Sequence, residues 1–152
     1  MNAMTKLKKS APILIAEDDE EDRELIKDAF DECGLSNDLI FVNDGVELTD
    51  YLRRLGKYAN QQKYPMPGIV LLDLNMPRKD GRQVLSEIKT DPELRKIPVT
   101  VLTTSKAEED VVRSYRLGVN SFIIKPVTFE ALVKVMSTIG KYWFEIVELP
   151  LD

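Results

Sequence analysis

A chain of 152 residues, 43% hydrophobic and 31% charged, has the length and composition of one soluble domain with its own core. Its 26 acidic against 21 basic side chains leave a net charge of -5, which argues against a nucleic acid partner. Histidine is absent and Cys33 is the only cysteine, which excludes serine–histidine triads, histidine-ligated metals, cysteine-cluster zinc and an internal disulfide; any phosphohistidine must belong to another protein.

Residues 1–10, with Lys6, Lys8 and Lys9, read as a disordered tail. No apolar run long enough for a signal peptide follows, and runs such as Ile13-Leu14-Ile15-Ala16 fall far short of the roughly 20 residues that cross a bilayer. A cytoplasmic protein without a membrane segment is expected. From Ala11 to Lys141, short β-branched or leucine-rich runs alternate with segments of helical period, the pattern of βα units around a parallel sheet. Strands are expected at Ile13 to Glu17, Leu39 to Asn43, Ile69 to Asp73, Val99 to Thr103 and Ser121 to Ile124, with five helices following them in turn.

The helices carry stop and start signals and apolar stripes. Gly34 caps the first, Asp91-Pro92 closes the third, Gly118 closes the fourth, and Thr128 opens the fifth ahead of Phe129-Glu130. Cys33 reads as a filler at a helix end. Leu48, Tyr51, Leu52 and Leu55 form one stripe, and Leu132, Val135, Met136 and Ile139 another; both are core positions. The polar segment from Gly56 to Pro67 has no clear period and reads as an exposed insertion in a domain spanning 11–142. The ending, residues 143–152, is too apolar for a solvated tail. Tyr142, Trp143, Phe144 and Ile146 either fold back on the domain or form a homodimer contact; the dimer is the favoured reading.

In a doubly wound sheet, ligands bind beyond the carboxyl ends of the strands. Those ends carry Glu17-Asp18-Asp19, Asp73, Thr103-Thr104 and Lys125-Pro126, so acids, a hydroxyl and a cation would converge on one rim. Crowded carboxylates repel one another, and a divalent metal relieves the repulsion. Hard oxygen ligands suit Mg2+, and Glu17, Asp18 and Asp73 can supply them. Asp73 could then attack an electrophilic phosphorus while Thr103 donates a hydrogen bond and Lys125 neutralises phosphoryl oxygens. Each signal alone has a plainer reading: the acidic triplet as a helix N-terminus, with Asp19 only a cap, Asp73 as a cap, and Thr103 or Lys125 as strand-end polar residues.

Taken together, Glu17-Asp18-Asp19, Leu71-Leu72-Asp73-Leu74-Asn75-Met76-Pro77, Leu102-Thr103-Thr104-Ser105 and Lys125-Pro126 resemble the receiver domains of two-component response regulators, over roughly Ile13 to Gly140. The resemblance implies a (βα)5 flavodoxin-like three-layer α/β sandwich with a parallel sheet in the order 2-1-3-4-5. It also implies that Asp73 is the phosphoacceptor, that Glu17, Asp18 and the Asn75 main-chain carbonyl hold Mg2+, and that Thr103 and Lys125 read the phosphoryl group. Phe122 matches the family's switch aromatic, against a plain packing role, and Pro126 the position of a cis-proline. The partner implied is a histidine kinase. The Tyr-rich insertion and the Trp-Phe-Glu-Ile-Val ending resemble, more narrowly, the small regulators paired with cyanobacterial phytochrome kinases. No effector domain is evident, so the signal would leave by changed protein contacts or by onward phosphotransfer.

Three rivals remain. A phosphatase of the haloacid dehalogenase type also uses an aspartate after an apolar strand, but needs a second acid two residues later, where Asn75 stands. A nucleotide-binding module would need a Gly-rich phosphate loop, and none follows a strand. An unphosphorylated receiver-like interaction module would ordinarily lack part of the acidic set.

Overall fold

The computed structural model describes residues 11–35, 37–73, 81–103, 121–124 and 128–141; for Arg82, Thr103 and 121–124 it describes the backbone alone. Five strands, β1 (Ile13–Ala16), β2 (Leu39–Val42), β3 (Ile69–Asp73), β4 (Val99–Thr103) and β5 (Ser121–Ile124), form one sheet in the order β2-β1-β3-β4-β5. All four pairings are parallel. The described α-helices are α1 (Glu20–Glu32), α2 (Gly45–Leu52), α3 (Gly81–Thr90) and α4 (Phe129–Lys141). The helix expected before Gly118 lies outside the described residues.

Strand alternation divides the core. Ile13, Ile15, Ile69 and Leu71 point to the face covered by α1 and α4, among Ile26, Phe30, Met136 and Ile139. Leu14, Ala16, Val70 and Leu72 point to the face covered by α2 and α3, among Leu48, Tyr51, Val84 and Ile88. Because successive strand side chains face opposite ways, a continuous apolar run fills both layers. All eight are essentially fully buried, which makes this the three-layer sandwich expected.

The helix ends follow local chemistry. Asp19 caps α1 by accepting from the Asp22 N–H at 3.0 Å, and Thr128 caps α4 by accepting from the Ala131 N–H at 3.1 Å. Gly34 leaves α1 with φ +74°, the left-handed conformation that glycine adopts without steric cost. Cys33 is the residue after α1, and its Sγ donates to the Val133 carbonyl at 3.1 Å, joining α1 to α4.

Three expectations are corrected. β1 and β2 stop at Ala16 and Val42, one residue short of Glu17 and Asn43, whose side chains serve the turns beyond. α2 ends at Leu52, because Arg54 takes φ +59° and the helix cannot continue through it; Leu55 therefore leaves the apolar stripe and is 51% exposed. The segment after α2 is exposed at most positions but not throughout. Its 3-10 turn, Gly56–Ala59, buries Tyr58. Tyr58 sits against Tyr51 and Tyr64, each at 4.9 Å between ring centroids, an arrangement that anchors the segment to α2.

Candidate functional site

The sheet register brings the first acids together. β1 lies beside β3, with Ala16 paired to Leu72; the next residues, Glu17 and Asp73, therefore meet at the carboxyl edge. Oxygens of Glu17, Asp18 and Asp73 lie within 4.8 Å of one another. Glu17 and Asp73 are only 1% and 5% exposed, whereas Asp18 faces solvent. Buried carboxylates persist where hydrogen bonds or a cation offset lost hydration. A hard-oxygen cluster open on one side suits Mg2+, which keeps water and substrate oxygens among its ligands. Asp19 stands apart from the cluster as the α1 cap.

Register continues across the edge. Asp73 pairs with Leu102, and Thr103 with Ile124. The backbone of Thr103 thus lies one step beyond the partner of Asp73, beside the residue that precedes Lys125 in sequence. Phe122 pairs with Val101 in the middle of β5. The other expected site residues, Asn75, Lys125, Pro126, Tyr142, Trp143, Phe144 and Ile146, lie outside the described residues, as do the side chains of Thr103 and Phe122.

The turn carrying Glu17 and Asp18 is held from several directions. The Glu17 N–H donates to the Val42 carbonyl at 3.1 Å, and the Asp19 N–H donates to Glu17 Oε2 at 3.2 Å. Arg23 Nε donates to the Glu17 carbonyl at 2.6 Å, while its Nη2 donates to Asn43 Oδ1 at 2.7 Å. The guanidinium also lies over the Phe41 ring, 5.4 Å from its centroid. A cleft of about 450 Å³ opens here, lined by Asp18, Glu20, Arg23, Lys27, Phe41 and Asn43 among others. Sequence reasoning singled out neither Arg23 nor Asn43 for the site. Arg23 looks like any charged helix residue, since nothing local reveals that its fork bridges the turns that follow β1 and β2.

The response regulator receiver domain family matches residues 13–137. Response regulator Rcp1 of Synechocystis sp. is 42% identical over 138 residues, covering 91% of this chain and 92% of that protein. The phosphorylated cyanobacterial phytochrome response regulator RcpA superposes with a TM-score of 0.85 at 41% identity, over 93% of this chain and 99% of that one. The Mn2+-bound form of Rcp1 gives 0.83 at 40% identity, over 93% and 99%.

Proposed function

Because the chain belongs to the response regulator receiver domain family, whose members accept a phosphoryl group on an aspartate, we propose that the acceptor here is Asp73, with Glu17 and Asp18 holding Mg2+. The observation that carries this is the meeting of those three carboxylates at the carboxyl edge of the sheet, with Asp73 almost buried. A bound Mg2+ supplies charge neutralisation for the acids and the incoming phosphoryl oxygens. A carboxylate oxygen of Asp73 forms the new O–P bond as the P–N bond of the donor phosphohistidine breaks and the imidazole nitrogen leaves with its electron pair. The β3–β4 pairing of Asp73 with Leu102 holds the Asp73 backbone in place at the carboxyl edge, so little ordering remains for the transfer itself. Thr103, at the end of β4, donates a hydrogen bond to the acyl phosphate, and Lys125 pairs with its oxygens. Asn75 adds its main-chain carbonyl to the metal shell.

Membership of the receiver family supports a histidine kinase as the donor, and its phosphohistidine must lie on another protein, since this chain has no histidine. The likeness to Rcp1 and RcpA supports a phytochrome-type kinase as that partner. Thr103 and Phe122 transmit phosphorylation to a changed binding surface. The output is contact with another protein rather than with nucleic acid, in the cytoplasm; among the described residues no helix is long and apolar enough to cross a membrane. Tyr142, the last residue of a domain spanning 11–142, and Trp143, Phe144 and Ile146 of the extension after it supply a homodimer contact.

The test is labelling with Mg2+ and acetyl phosphate, read by intact mass. The wild type gains one phosphoryl group and Asp73→Asn gains none; equal labelling of both would remove Asp73 from the role. Phosphotransfer profiling against kinases of the source cell identifies the partner by rate, and a phytochrome kinase that transfers no faster than unrelated kinases would overturn that assignment.

A further inference from the structure

The hydrogen bonds around Glu17 do not stop at Arg23. Asn43, which receives the Arg23 Nη2, is itself held by Glu47: the Asn43 N–H donates to Glu47 Oε1 at 2.6 Å and its Nδ2 at 3.1 Å. Glu47 is fixed at the start of α2, where its N–H donates to the capping Asp44 Oδ1 at 2.8 Å. Its second oxygen, Oε2, accepts from the Tyr58 hydroxyl at 2.7 Å. An unbroken chain of bonds therefore runs from the aromatic anchor of the 56–67 segment through Glu47, Asn43 and Arg23 to the Glu17 carbonyl.

We propose that Arg23 is a positioning residue for the divalent cation, clamping the Glu17-Asp18 turn through the Glu17 carbonyl, and that Asn43, Glu47 and Tyr58 set its pose. This inference rests on reading Glu17, Asp18 and Asp73 as the cation site. The physical reason is geometric. Glu17 and Asp18 follow the last β1 residue, beyond the ladder that ends at Ala16, and their carboxylates must converge within a few ångströms on one ion. The guanidinium reaches the turns after β1 and β2 with two divergent donors, which fixes the Glu17-Asp18 turn relative to the end of β2. Glu47 keeps its negative charge at neutral pH: burial opposes ionisation, but bonds from Asn43 and Tyr58 and the nearby Lys57 and Arg23 outweigh it.

Charge and position make opposite forecasts for Arg23, which makes the proposal testable. Removing a cation beside the site would, by Coulomb's law alone, tighten the binding of another cation. Loss of the clamp loosens it.

The experiment measures Mn2+ affinity of the full chain by the paramagnetic signal of free Mn2+, with cooperative thermal melting as the check on folding. Asp18→Asn removes a ligand and is expected to abolish most binding, which reports on the cation reading itself. Asn43→Ala leaves the formal charge unchanged at an exposed position and is expected to weaken Mn2+ by about 10-fold, the low end of the usual cost of losing an outer-shell partner. Arg23→Ala is expected to weaken binding despite the charge removed, and Arg23→Lys to leave it weak, because an ammonium cannot reproduce the two-directional fork. Tyr58→Phe gives a smaller loss in the same direction. If Asn43→Ala and Arg23→Ala bind Mn2+ as tightly as wild type or tighter while Asp18→Asn loses it, the clamp is refuted and the cation site stands. If wild type and Asp18→Asn bind alike, the site reading falls and the inference with it.

Discussion

The Tyr58 hydroxyl donates to Glu47 Oε2 across 2.7 Å, closing a loop between the first turn of α2 and the 3-10 turn that follows the helix. One short bond thus gives a segment of low periodicity a fixed seat, with the rings of Tyr51 and Tyr64 completing it.

That bond predicts an acid sensitivity. Glu47 is held below its ordinary carboxyl pKa of 4.5, as bonds from Asn43 and Tyr58 outweigh the opposing effect of burial. The unfolded chain then binds the proton more readily, so the stabilisation is present above pH 4.5 and is lost as pH falls through the lower folded value. Tyr58→Phe should lower stability at neutral pH by about 1.5 to 3 kcal/mol, the usual range for a bond to a charged group. Urea melts should show the wild-type and mutant curves converging as pH drops below that value; a constant gap would contradict the assignment.

The tyrosines carry the opposite signature at high pH. Burial pushes the Tyr51 phenol up to about 12, with Tyr64 adding to the rise and Arg54 opposing it. Tyr58 is raised as well, first by burial and then by the neighbouring Glu47. Raised phenols stabilise the fold fully below their unfolded value of 10.0 and lose that contribution as pH climbs through the folded values. Ultraviolet titration should therefore show a tyrosinate step delayed beyond pH 10, abolished by unfolding in denaturant. Tyr51→Phe should remove part of that delayed step.

Gly140 tests the contact between α4 and the end of α1. A Cβ placed there would meet the Leu35 side chain at 2.6 Å. Gly140→Ala forces the Leu35 side chain to shift, so overpacking should cancel much of the gain in helix propensity. In a Leu35→Ala background the same substitution should stabilise, by up to about 1 kcal/mol, since only the gain in helix propensity remains. Thermal melts of the four proteins measure the difference between the two backgrounds, and equal effects in both would rule out the clash.

Metal linkage gives a fourth expectation. Because the folded acids gather within 4.8 Å and the unfolded chain scatters them, Mg2+ should raise the melting temperature of wild type by mass action on the folded state. Without metal, Asp18→Asn should melt higher than wild type, relieved of repulsion, and Mg2+ should narrow the difference. Scanning calorimetry with Mg2+ or chelator decides it.

Alternation of apolar runs and helical periods was enough to locate all five strands to within one residue, because a parallel sheet buried on both faces demands uninterrupted β-branched and leucine-rich segments. Glu17, Asp18 and Asp73 were legible for a related reason: residues immediately past such strands must lie on one rim, and acids there stand out. Leu55 was misread because helical spacing continues through it, while the left-handed Arg54 that ends α2 leaves no mark in the spacing. Only the tertiary structure decided that Arg23 bridges the turns after β1 and β2 to hold Glu17, that Tyr58 is buried against Tyr51, and that Gly140 lies against Leu35. Periodicity reports which face of an element is buried, since that depends on local spacing. Which distant side chains share a contact depends on how the layers pack, and that is set by the whole chain at once.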